Sequence, residues 1–135
     1  MKQHGMILIC IFLGGALGTL FRYIINIQVE GFLFPLGTVI ENLVGSFLLG
    51  GLTGYILHKK LLPGLKEGIG VGFCGGFTTM STLAADSVFL VLNNPVQFFI
   101  YMSVSLFGGL LLALVGMMLS TAFIRKRIFK VGGDQ

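Results

Sequence analysis

The chain has 135 residues, of which 55% are hydrophobic and 10% charged, with a formal net charge of +4 and a mean hydropathy of +0.96. Soluble domains carry about 25% charged residues, so the composition excludes a soluble globular domain and points to an integral membrane protein. About 20 apolar residues cross a bilayer as helix; four such spans fill the length as one domain and leave only short loops.

Span one is expected over residues 6–25. Lys2, the apolar run and Ala16-Leu17-Gly18 imitate a cleavable signal peptide, but no soluble mature domain follows and the segment reads as a span. Gly14 and Gly18 make a G-x-x-x-G spacing that lets another helix approach closely. Arg22, near the end of this span, must snorkel or find a partner.

A link containing Glu30 and Pro35 leads to span two, residues 37–57. Thr38, Asn42 and Gly45 fall at i, i+4 and i+7 and share a helical face. A polar residue at the depth of Asn42 faces a bundle interior or a water-filled path; an interhelical hydrogen bond and a solute route fit its spacing equally. Glu41 sits beside it, displaced by about 100°, and reads as a partner for Arg22 or as a pore-mouth residue.

His58, Lys59 and Lys60 close span two, and Pro63-Gly64 turns the chain into span three, residues 68–92. Within that span GFCGGFTTMSTL (72–83) places two adjacent glycines before Thr78, Thr79, Ser81 and Thr82. Glycine weakens a helix interior by about 1 kcal/mol relative to alanine. In hydrocarbon a freed backbone carbonyl has no water to turn to, so a broken helix survives only beside protein, an ion or a wet cavity. The third helix is therefore expected to break near mid-membrane, with the other helices arranged around the break. Span four, residues 96–124, follows Asn93-Asn94-Pro95 and carries Tyr101, Ser105 and Gly109 at i, i+4 and i+8.

Counting charges fixes an expected orientation. Of nine Lys and Arg, only Arg22 falls on the side opposite the termini, so the positive-inside rule puts both termini in the cytoplasm. Arg22, Glu41 and Asp86 then lie at similar depth, and Arg22 is expected to pair with one of these acids. The basic residues flank spans, which argues for topology and anionic lipid rather than nucleic acid. Cys10 and Cys74 fall inside spans and read as core residues rather than a disulfide.

No His, Cys or carboxylate cluster has metal-ligand spacing, and no Ser–His–acid set or phosphate-binding loop is present. The chain does not read as an enzyme. What remains is a route for a small solute lined by neutral donors: Asn42, Ser105, Tyr101 and the Thr/Ser cluster. Such hydrogens replace water around a small anion. A pair of chains would enclose such a route, and two breaks meeting at their axis would offer carbonyls to a hard monovalent cation such as Na⁺.

Four blocks, GGALGTLFRY (14–23), GTVIENLVGSF (37–47), GFCGGFTTMSTL (72–83) and the Tyr101, Ser105 pair, resemble the Fluc (CrcB) family of bacterial fluoride channels. The resemblance implies an antiparallel, dual-topology dimer in the bacterial cell membrane, with two fluoride pores and a central structural Na⁺. It implies that Asn42 is the pore amide facing fluoride, that Gly75 and Thr78 give carbonyls to Na⁺, and that Thr38, Tyr101 and Ser105 line a polar track. Arg22 is placed near an aqueous vestibule.

Departures in the motifs and in the charge balance stand out. The family has phenylalanine where this chain has Met80 and Leu83, and neither side chain offers the electropositive ring edge that fluoride meets there. Position 109, a hydroxyl in some relatives, is glycine. The strong charge bias also fits poorly with a chain that inserts both ways. Together they suggest one half of a heterodimer with an oppositely oriented relative, in preference to a homodimer. A non-conducting structural subunit is the main rival. A small multidrug-type exporter is remote, because span one has no acid.

Overall fold

The structure is a computed structural model that describes the backbone of residues 2–132 and the side chains of residues 3–126. Lys2, Arg127 and Lys130, counted for orientation above, have side chains outside the described residues. Four helical spans account for almost the whole described chain, each long and apolar enough to cross a membrane. Helix α1 is Lys2–Val29 and α2 is Leu36–Ile56. The third span, Pro63–Asn93, is composite: α3 (Pro63–Glu67), a π-helical stretch Gly68–Cys74, the single turn α4 (Gly75–Phe77) and α5 (Met80–Asn93). The fourth comprises α6 (Pro95–Ser103), a second π-helical stretch Val104–Gly108 and α7 (Gly109–Gly132).

Span boundaries follow local chemistry. Pro63 and Pro95 sit in the first helical turn of their spans, where a missing N–H has no intrahelical partner to lose. The third span therefore starts five residues earlier than hydropathy alone indicates, and the fourth one residue earlier. Asn94 caps the fourth span through its side-chain oxygen, which accepts from the Gln97 N–H at 3.2 Å. Between α1 and α2 the chain reverses through Gly31, whose φ of 103° lies in a region open mainly to glycine.

Glycines set how closely the spans approach. Gly14 and Gly18 of α1 lie against the backbone of Gly68, Phe73 and Phe77, while Gly72 and Gly76 lie against that of Ile11 and Gly15. Contacts rise together along both segments, so α1 and the third span run parallel. The same holds for α2 and the fourth span, where Gly50, Gly54 and Gly116 meet the backbone of Ala113, Met117 and Phe47. The bundle is thus two parallel pairs, each joined along a small-residue seam of the kind that membrane helices use when lipid offers no hydrophobic drive.

Cys10 and Cys74 are both free thiols; Cys10 packs near Gly64 and Gly68 on the α1 seam. The small buried apolar cluster of Val39, Leu83, Leu90 and Tyr101 ties α2, α5 and α6 together.

A methyl group at Gly18 would press on the Phe73 carbonyl and Phe77 N–H, backbone atoms that cannot swing aside. Overpacking of this kind costs about 1–3 kcal/mol. Gly18→Ala should lower the melting temperature of the purified protein by about 5 °C or more. Gly5→Ala, with nothing within 4 Å of the added carbon, should not lower it.

Candidate functional site

The third span breaks at Thr78 and Thr79, both extended, with φ, ψ of −77°, 159° and −146°, 122°. This lies near the midpoint of Pro63–Asn93, where the glycine pair and hydroxyl cluster place it. The break separates four carbonyls (Gly75 to Thr78) from the four N–H groups (Thr79 to Thr82) that an unbroken helix would give them.

Each freed group can be followed. The Thr79 N–H donates to Asn42 Oδ1 at 2.8 Å, and Asn42 Nδ2 donates back to the Thr79 carbonyl at 3.0 Å. The Thr82 N–H goes to Thr79 Oγ1 at 3.2 Å, so Thr79 is the N-cap of α5. On the carbonyl side, Thr19 Oγ1 donates to Gly76 at 3.4 Å and Arg22 donates to Thr78 at 3.5 Å. Among the described residues, the carbonyls of Gly75 and Phe77 and the N–H groups of Met80 and Ser81 are left without partners.

A cavity of about 270 Å³ borders the break. Asn42, Gly75, Thr78, Met80, Leu83 and Ser105 all line it, and no acidic or basic side chain does. Ser105 is buried, yet its hydroxyl makes no hydrogen bond among the described residues; it does not fold back onto its own helix as membrane serines commonly do. Asn42 keeps one amide hydrogen beyond the one it gives to Thr79. Gly109 lies against the Ser46 hydroxyl, and Ser46 lines the same cavity, so a hydroxyl stands beside the position where the fourth span has none. Met80 is 72% exposed and Leu83 is buried. Phe77 stacks on Phe73 with ring centroids 5.8 Å apart and does not line the cavity.

Thr38 and Tyr101 lie elsewhere, and converge on a residue that spacing presented only as a charge. Thr38 Oγ1 donates to Asp86 Oδ2 at 2.7 Å, and the Tyr101 hydroxyl donates to the same oxygen at 3.0 Å. Thr38, Thr82 and Asp86 also line a second, more polar cavity of about 210 Å³ beside the α1–α2 link, together with Asn26 and Glu30. The hydroxyls of Thr82 and Thr79, 2.9 Å apart, connect this second cavity to Asn42 and the break.

Two expectations are corrected. Arg22 pairs with neither acid; its guanidinium serves the Thr78 carbonyl, because the break leaves an acceptor closer to hand than either carboxylate. Glu41 makes no ion pair with Arg22 among the described residues. It is fully buried, both its oxygens lack hydrogen bonds, and it lines neither cavity. Three contributors escaped the sequence reading: Thr19, Asp86 as a shared acceptor, and Ser46. A threonine placed just before the apolar run of α5 was a readable N-cap signal; a carboxylate gathering hydroxyls from two other helices has no local signature.

The fold and site define a multi-pass membrane protein whose third span breaks against a cavity lined by neutral donors. Residues 9–117 match the family model described as "CrcB-like protein, Camphor Resistance (CrcB)", and the chain belongs to that family. It is 48% identical over 134 residues to a protein of Halalkalibacterium halodurans named fluoride-specific ion channel FluC 2, covering 99% of this chain and 100% of that one. The protein of the same name from Bacillus subtilis is 42% identical, over 87% and 86% of the two chains. Fluoride-specific ion channel FluC of Methanopyrus kandleri is 42% identical, over 78% and 82%. These relatives carry the names of ion channels, not of enzymes.

Removing the Asn42 side chain leaves the Thr79 N–H and carbonyl without their partners, at about 1–3 kcal/mol for each buried group. Asn42→Ala should lower thermal stability clearly. Asn93→Ala, which removes an exposed bond to the Phe89 carbonyl, should change it little. Equal effects would show that the Asn42 bonds do not hold the break.

Proposed function

We propose that this chain is a subunit of a fluoride channel of the bacterial cell membrane, exporting the ion to relieve its toxicity. The observation that carries the reading is the cavity at the break: an unbonded Ser105 hydroxyl and the Asn42 amide line it, with no charged side chain to trap an anion. Neutral donors replace a small anion's hydration and still let it leave. The names of relatives 42–48% identical supply the ion. The positive-inside bias puts both termini in the cytoplasm.

A second, oppositely oriented chain completes the assembly. Met80 borders the cavity while 72% exposed, so one chain leaves this side of the route open. The carbonyls suit a structural Na⁺ between the two breaks. Asn42 takes the donor that Gly75 would otherwise have, and the Thr78 carbonyl has only a long contact from Arg22. One chain offers too few oxygens to replace the shell of a hard cation, which is why the site needs both. Gly75 and Thr78 would hold the ion, whose charge would fix the two breaks together.

The partner is a related chain of opposite charge bias rather than a second copy. The one-sided basic residues, and Met80 and Leu83 where the family has phenylalanine, support this. Relatives numbered FluC 1 and FluC 2 are in keeping with paired chains. The competing reading, a non-conducting subunit that completes its partner's channel, rests on the same two positions.

Fluoride efflux from liposomes separates these readings. The chain reconstituted with a charge-inverted relative should release fluoride, and the chain alone should release little; robust flux from the chain alone would end the heterodimer. Met80→Phe with Leu83→Phe should raise flux through this chain's route. No response to the pair would favour the structural subunit.

A further inference from the structure

The break leaves donors as well as carbonyls. Of the four N–H groups at the start of α5, those of Thr79 and Thr82 are taken by Asn42 and by the Thr79 hydroxyl. Those of Met80 and Ser81 have no acceptor among the described residues. First-turn N–H groups point back along the helix axis, and with the helix dipole they form a ready anion site. α5 has 14 residues, long enough for that field to build. Gly75, Thr78 and Met80 all border the cavity at this end.

An independent feature points into the same space. Ser105 comes from the fourth span, is 9% exposed, and has an unbonded hydroxyl in the wall of that cavity. A buried hydroxyl left unbonded forfeits about 1–3 kcal/mol unless something accepts from it. Asn42, whose amide keeps a spare hydrogen, lines the same cavity. The backbone groups left free at the start of α5 are donors.

We propose that the Met80 and Ser81 N–H groups, with the Ser105 hydroxyl, form a fluoride-binding site at the start of α5, and that this site takes over the role of the ring edges absent at positions 80 and 83. The inference rests on the fluoride reading above and deepens it. It assigns the contact at position 80 to the backbone, so the side chain there is free to be methionine. Small size favours fluoride over larger halides, because converging N–H and O–H donors must approach the ion together.

Proline at a first helical position removes the N–H without disturbing the helix, and the residue before it must be extended, as Thr79 is. In the conducting preparation, fluoride flux through Met80→Pro should fall below that of Met80→Leu by about tenfold or more, the loss of one hydrogen bond to an ion. Ser105→Ala should fall comparably below wild type. A Met80→Pro flux within about twofold of Met80→Leu would overturn the proposal, while absence of flux from wild type in any pairing would instead overturn the fluoride function. A second measurement does not depend on conduction or on the proline variant folding. In ¹⁵N-labelled protein in bilayers, sodium fluoride, but not sodium chloride at equal concentration, should shift the Met80 and Ser81 amide resonances. Amides unmoved by fluoride would overturn the assignment whatever the flux.

Discussion

The paired hydrogen bonds between the Asn42 amide and the Thr79 backbone hold an extended dipeptide inside what would otherwise be a helical span. Without them an N–H and a carbonyl at Thr79 would face hydrocarbon or an empty cavity, and re-forming the helix would be the cheaper solution. With them the segment keeps its break, and the consequences spread to both sides of it. The Gly75 carbonyl loses its usual donor, α5 begins afresh with Thr79 as its cap, and α1 supplies Thr19 and Arg22 to neighbouring carbonyls. Close approach of α1 depends on the glycine seam, since a side chain at Gly18 would collide with the very turn that Thr19 and Arg22 serve. Packing and polarity are thus one arrangement: small residues bring the helices near enough for side chains to satisfy a backbone that has left the helix.

A broken helix is also an economical way to offer both signs of partial charge at one depth. Its upstream half ends in carbonyls and its downstream half begins with N–H groups, without any ionised side chain in the cavity itself. This is in keeping with the anion route and the cation site proposed above. The acids and the arginine lie around the route instead. Asp86 is occupied by two hydroxyls, Arg22 by a carbonyl, and Glu41 is sealed within the bundle with no hydrogen bond among the described residues, a burial that nothing in the structure explains.

Much of this was legible in the sequence because membrane chains reveal their spans by composition and their irregularities by glycine. The four spans, the break between the glycine pair and the α5 cap, and the gathering of Asn42, Ser105, Met80 and Leu83 around it follow from hydropathy, helical spacing and family resemblance. Charged groups were harder to place. Arg22 was matched to acids on depth alone, and depth says nothing about which acceptors a break exposes at that level. Asp86 looked like an ion-pair partner because its hydroxyl donors come from α2 and α6, a convergence created by packing rather than by local pattern. The two π-helical stretches were likewise invisible. They arise in Gly68–Cys74 and Val104–Gly108, where glycine and close neighbours decide the local winding, and both contribute to the cavity wall through Cys74 and Ser105.

Everything rests on the extended geometry at Thr78 and Thr79. Backbone ¹³Cα and ¹³Cβ shifts across residues 74–82, measured by solid-state NMR in lipid bilayers, read that geometry directly. Helical values through Phe77, extended values at Thr78 and Thr79, and helical values resuming at Met80 are the expected result. Unbroken helical shifts from Cys74 to Thr82 would contradict the account.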